Sequence, residues 1–152
     1  MRQYRLAFAA LAATMLLGGA AAPALASPPA ASQATATTAT TAADIPNVVD
    51  VTAANYQQVM QWSHTKPVVL DFTASWCYWC KKQDPYLRQY NTADNGAWVL
   101  AKVDVDRNPD LARRYGVRGI PALLNIQNGT EAGSRHVGFD GPASLRTWLN
   151  NL

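Results

Sequence analysis

The chain holds two cysteines, set three residues apart in Trp76-Cys77-Tyr78-Trp79-Cys80. They follow directly on Pro67-Val68-Val69-Leu70-Asp71-Phe72-Thr73, an apolar, β-branched run of the kind that forms a strand buried on both faces. The residues from 77 to 90 read as a helix. Side chains three apart on a helix share a face, with about 5–6 Å between Cβ atoms, so Cys77 and Cys80 can close a disulfide with modest adjustment. A first helical turn has unpaired N–H groups and the positive end of the helix dipole, which favour a thiolate at Cys77. The chemistry implied is thiol–disulfide exchange, with Cys77 as nucleophile and Cys80 as resolving thiol.

Two other roles compete for the pair. A purely structural bridge over so short a loop constrains the unfolded chain little, worth about 1–2 kcal/mol in loop entropy. A zinc site would need His64 and His136 to supply ligands from distant segments, without the tandem spacing of zinc modules. No metal is expected.

Asp71 lies in the middle of an apolar strand, where its side chain meets a core layer whichever way the strand turns. A buried carboxyl has a raised pKa and can exchange a proton with a neighbour. One reading makes Asp71 the acceptor of the Cys80 proton, with Lys102 in the next apolar run setting the proton balance. The other has Asp71 capping a loop and Lys102 reaching for solvent. The residues alone leave both open. Trp76, Tyr78 and Trp79 are candidates for a substrate-binding surface, with Trp76 expected to support the site and Tyr78 and Trp79 to lie exposed beside the sulfurs. Pro121 opens another apolar run, and X-Pro bonds in folded chains are cis in only about 5–6% of cases, so trans is the default.

These residues need a scaffold of strands and helices. Val48–Val51 reads as a short strand and Thr52 as the N-cap of a helix over 53–63. Pro85 interrupts the helix after the cysteines and should kink it. Residues 97–105 form a second buried strand. Asn108-Pro109 opens a short helix that Gly116 stops. Residues 121–127 are a third apolar run, and Asn128-Gly129 is a hairpin turn leading to a strand at 135–137. Asn128-Gly129-Thr130 also fits a glycosylation acceptor, but the turn explains the same residues. Gly141-Pro142 opens a last helix with Leu145, Trp148, Leu149 and Leu152 on one face. Alternating strands and helices closed by a hairpin and a helix describe a mixed α/β sandwich.

The first 26 of the 152 residues carry Arg2 and Arg5, an apolar run over Leu6–Leu17 and then Ala24-Leu25-Ala26, the small-x-small pattern of a signal-peptide cleavage site. Cleavage is expected before Ser27, although an uncleaved anchor would use the same residues. No cysteine follows the apolar core, so lipid modification is not suggested. Residues 27–43 contain no aromatic residue and no charge and read as a linker. The folded domain is expected over 44–152. Without Arg2 and Arg5, 11 basic residues face 10 acidic ones, a net charge of +1 with no basic stripe. Nucleic-acid binding is therefore not expected.

Asp71-Phe72-Thr73-Ala74-Ser75-Trp76-Cys77-Tyr78-Trp79-Cys80-Lys81, Pro85, Val103-Asp104-Val105-Asp106 with Asn108-Pro109, and Tyr115-Gly116-Val117-Arg118-Gly119-Ile120-Pro121 together resemble the thioredoxin family. The resemblance runs from about residue 44 to residue 152. It implies a thioredoxin-like α/β fold, a central mixed β-sheet flanked by helices on both faces. It further implies that Pro121 is cis and packs beside Cys77, and that Ile120 offers its backbone to a substrate strand. Gly138 would belong to the loop flanking the peptide groove, and Asp71 and Lys102 would be the buried proton-handling pair. The departure is Tyr78-Trp79, where the typical family member has Gly-Pro, and these residues tune the reduction potential.

The function expected on this basis is that of a protein-disulfide reductase, exported to the bacterial periplasm and acting as a monomer on protein or peptide disulfides. An oxidase or isomerase using the same site is the alternative, and a non-enzymatic peptide-binding module a further one. The two thiols carry the electrons, so no organic cofactor is expected. Reduction in an oxidising compartment implies a membrane-bound electron donor.

Overall fold

A computed structural model describes residues 45–152. The expected signal peptide and the linker lie outside the described residues. The elements run β1 (Val48–Asp50), α1 (Tyr56–Trp62), β2 (Val68–Thr73), α2 (Tyr78–Ala93), β3 (Val99–Asp104), α3 (Pro109–Arg114), β4 (Ala122–Gln127), β5 (Thr130–Val137) and α4 (Pro142–Leu149). The five strands form one sheet in the order β1-β3-β2-β4-β5. β3 pairs in parallel with β1 and β2, while β4 pairs antiparallel with β2 and β5. This is the expected mixed sheet, and β2, which leads into the cysteines, is its centre.

Successive residues of a strand point to opposite faces, and both faces here are covered. Val68, Leu70 and Phe72 of β2 pack in one core with Val59 and Trp62 of α1, against which Leu111 and Ala112 of α3 also rest. Val69 lies in the other core with Leu87 of α2 and Leu145 and Leu149 of α4. By the same alternation Asp71 faces α2. Burying a leucine side chain as fully as Leu87 is worth about 1.5–3 kcal/mol, so the helix that carries the cysteines is anchored by packing rather than by propensity. Among the described residues no helix is long and apolar enough to cross a membrane.

Local chemistry moves several element ends from where the sequence pattern puts them. The helix expected from residue 53 starts at Tyr56, because Thr52 and Asn55 bond each other first: Thr52 N donates to Asn55 Oδ1 at 2.8 Å and Asn55 N to Thr52 Oγ1 at 3.3 Å. α2 continues through Pro85 to Ala93, three residues beyond expectation. Buried Asn91 holds that last turn by donating to the carbonyl of Trp98 at 2.7 Å. Asn108 precedes Pro109 at the start of α3, but its side chain does not cap the helix; it donates to the carbonyls of Val51 and Asp104. β5 begins at Thr130 rather than 135. Asn128 and Gly129, both at positive φ, make the tight two-residue turn that pairs Gln127 with Thr130 at once.

Candidate active site

Cys77 and Cys80 form a disulfide with Cα atoms 5.3 Å apart. Cys77 is the N-cap of α2 and not its first residue: its backbone is extended, and its Sγ accepts the N–H of Cys80 at 3.1 Å. A sulfur in that position meets both a directed donor and the positive end of a 16-residue helix, which stabilise negative charge on it. Both sulfur residues are nearly covered, at 5% and 4% exposure. They pack with Ala74 and are flanked by Val105 and Ile120.

The bond between Ile120 and Pro121 is cis. Pro121 is buried, and its carbonyl accepts the N–H of Gly138 at 2.8 Å, so Gly138, at φ +85°, is tied to the proline loop. Ile120, Pro121 and Gly138 thus form one connected segment, which meets the cysteines through Ile120.

Asp71 and Lys102 stand opposite each other in the β2–β3 register. Asp71 is 2% exposed, and its Oδ1 has no hydrogen-bond partner among the described residues. Burial pushes its carboxyl up to about 7, partly opposed by Lys102, and the charge of Asp84 adds to the rise. The lysine does not reach for solvent, nor does it bond Asp71. Its ammonium donates to Asp84 Oδ1, while Arg88 Nε donates to Asp84 Oδ2 at 2.8 Å. Burial alone would raise the Asp84 carboxyl, but the bonds from Lys102 and Arg88 outweigh it and hold the group below the usual carboxylate range. A cleft of about 570 Å³ opens over this group, lined by Cys80, Asp84, Lys102, Thr73 and Ala74 among others.

Asp84 is the residue that the sequence reading missed. The available signal was its spacing, one helical turn after Cys80 and one before Arg88, on the flank of a helix expected to cover the sheet. Trp76, expected to support the site, is 66% exposed, and its Nε1 donates to Asp106 Oδ2 at 2.9 Å. The turn that presents Cys77 leaves the indole outside the core, where a surface aspartate holds it. Tyr78 and Trp79 are 60% and 55% exposed and meet edge to face with ring centroids 5.0 Å apart. Among the described residues no three His, Cys, Asp or Glu side chains converge as a metal site.

Residues 47–151 match the family model described as thioredoxin. The chain is 37% identical over 102 residues to the thioredoxin of Alicyclobacillus acidocaldarius subsp. acidocaldarius, covering 67% of this chain and 94% of that protein. It is 34% identical over 103 residues to the thioredoxin of Buchnera aphidicola subsp. Baizongia pistaciae, covering 68% and 93%. A 38% identical stretch of 90 residues also matches the bifunctional thioredoxin reductase/thioredoxin of Mycobacterium leprae; it covers 59% of this chain and only 19% of that relative. Among solved structures, one chain from a study of the thiol resolving mechanism in yeast mitochondrial 1-Cys peroxiredoxin superposes with a TM-score of 0.59 at 25% identity, covering 69% of this chain and 95% of that one. A redox-competent cysteine pair at the mouth of a helix, carried on this sheet, defines a thiol:disulfide oxidoreductase. The chain belongs to the thioredoxin family.

Proposed function

We propose that this protein is an exported disulfide reductase that cycles Cys77 and Cys80 between dithiol and disulfide. In the reduced protein the Cys77 thiolate attacks one sulfur of a substrate disulfide, forming a mixed disulfide and releasing the first substrate thiolate. Asp71 takes the proton of Cys80. The Cys80 thiolate then attacks Cys77 Sγ, the second substrate thiolate leaves, and the Cys77–Cys80 disulfide remains. Two electrons pass to the substrate, so a donor must supply two for the next cycle.

The observation that carries the direction is Asp71, a buried carboxyl on the sheet face beneath α2. Negative charge there disfavours a persistent thiolate in the reduced pair, and a less stable reduced form gives electrons away more readily. Strong oxidants of this chemistry do the opposite and stabilise their reduced form. Trp76, Tyr78 and Trp79 offer exposed ring surface around the sulfurs to a protein or peptide chain, and Ile120, Pro121 and Gly138 form the other wall of that groove. The leader-like pattern over residues 1–26 supports export to the periplasm, where a membrane-bound donor would return the electrons. We take the acting form to be a monomer, cleaved before Ser27, with the linker of residues 27–43 leading into the domain.

The test is the equilibrium reduction potential of the Cys77–Cys80 couple, measured against glutathione mixtures. A value near the roughly −270 mV of thioredoxin is expected. A value near the roughly −120 mV of DsbA would replace this reading with that of an oxidase that hands its disulfide to folding clients.

A further inference from the structure

Lys102 is held on the sheet face beneath α2, opposite Asp71, yet its ammonium is taken by Asp84. Asp84 sits one turn beyond Cys80 on the same helix and lines the same cleft. It accepts from two cations at once, Lys102 on one carboxylate oxygen and Arg88 on the other. The buried carboxyl of Asp71 is left with an oxygen that nothing among the described residues bonds. We propose that Asp84 is a positioning residue, one that draws the Lys102 ammonium off Asp71 and so makes Asp71 a stronger base toward the Cys80 proton. This inference rests on the thiol-exchange reading of the cysteine pair.

The charges around Asp71 come from few directions. β3 contributes Lys102, and α2 contributes Asp84 and Arg88, with Cys80 a turn earlier. β4 places apolar Leu123 opposite Asp71, and α4 turns Leu145 and Leu149 to this face. At the far end of α2, Asp94 accepts two hydrogen bonds from Arg146 of α4 at 2.9 Å. Lys102 is therefore the cation in register with Asp71, and whichever carboxylate holds it decides how readily Asp71 ionises. With Asp84 intact, Asp71 carries a proton over more of the pH range. Without Asp84, the ammonium is released toward Asp71, and a carboxyl facing an unshared cation ionises at lower pH. The burial that raises Asp71 and the further rise from Asp84 run in the same sense.

The experiment is a carbon-13 titration of the Asp71 carboxyl in the full-length disulfide form, with Asp84→Asn, Lys102→Met and the double variant beside the unsubstituted protein. The pH dependence of Cys80 attack on a preformed Cys77 mixed disulfide is followed in parallel. Asp84→Asn should lower both midpoints by about one pH unit or more, the range for a carboxyl that gains a nearby cation. In the Lys102→Met background the same substitution should move them by well under half as much, and Asp84→Glu should restore the original titration. No shift, an upward shift, or an equal shift with and without Lys102 would overturn the proposal. The titration uses the disulfide form, and proton transfer serves exchange in either direction. A reduction potential at the oxidant end would therefore defeat the reductase reading without touching this result.

Discussion

Asp71 and Lys102 are register partners on neighbouring parallel strands, but the lysine is bonded to Asp84 one layer above. The carboxyl therefore sits in the core with its ionisation opposed by burial and relieved only at a distance. That arrangement reaches beyond catalysis to the stability of the whole domain.

Asp71 is raised from 3.8 to about 7 in the folded protein. Below about pH 4 both the folded and the unfolded chain hold its proton, and folding loses nothing. As pH rises from about 4 to 7 the unfolded chain releases the proton while the folded chain keeps it, so stability falls; above 7 the loss levels off. The full loss is up to about 4 kcal/mol. Asp71→Asn should remove this slope, so that urea unfolding of the disulfide form at pH 4 and pH 8 differs much less in the variant than in the unsubstituted protein. The same variant should resolve mixed disulfides more slowly at neutral pH.

Each cysteine has its own signature. Cys77→Ser should abolish disulfide exchange, because the thiol that remains, Cys80, is buried at 4% exposure and lacks the N-cap position that favours a thiolate at Cys77. Cys80→Ser should leave the attack intact and stop the release, so that a substrate thiol stays attached through Cys77. Non-reducing electrophoresis after mixing with a disulfide-containing protein would show that adduct. Its absence would move the nucleophile elsewhere.

Tyr78 and Trp79 expose ring surface that makes no core contact, so replacing both with alanine should change stability by less than about 0.5 kcal/mol. Their effect should fall on recognition. The KM for a protein disulfide should rise about five- to ten-fold, the equivalent of about 1 kcal/mol, while a small aromatic disulfide should be turned over as before. Equal effects on both substrates would mean that the rings act on the sulfurs rather than on the client chain.

Ser63 fastens the end of α1 to the hairpin. Its buried hydroxyl donates to the carbonyl of Met60 at 2.6 Å and accepts the N–H of Gly129 at 2.8 Å. Ser63→Ala leaves the turn's N–H without its partner and should cost about 1–3 kcal/mol, read as a lower denaturant midpoint with the m-value unchanged.

The cysteine pair, its strand and its helix were legible because their signals are local: a β-branched run, an abrupt turn and two thiols within four residues. The alternation that buries Val69 also placed Asp71 in a core layer. Asp84 was not legible in this way. Its role depends on Lys102, 18 residues away in a strand that α2 happens to cross, and sequence order carries no sign of that crossing. β5 escaped for a different reason. It is an edge strand, exposed for most of its length, so no apolar alternation marked its start at Thr130. The placement of Trp76 was not legible either, because a surface hydrogen bond to Asp106, 30 residues further on, fixes where it goes.

Trp76 and Trp79 stand on either side of Cys77, outside the core, while Trp62 and Trp98 are buried. A disulfide accepts an electron from an excited indole, and a dithiol does so far less readily. The two outer indoles should therefore be dim when the cysteines are joined and brighten when they part, giving the protein an optical readout of its own electron count that needs no added dye.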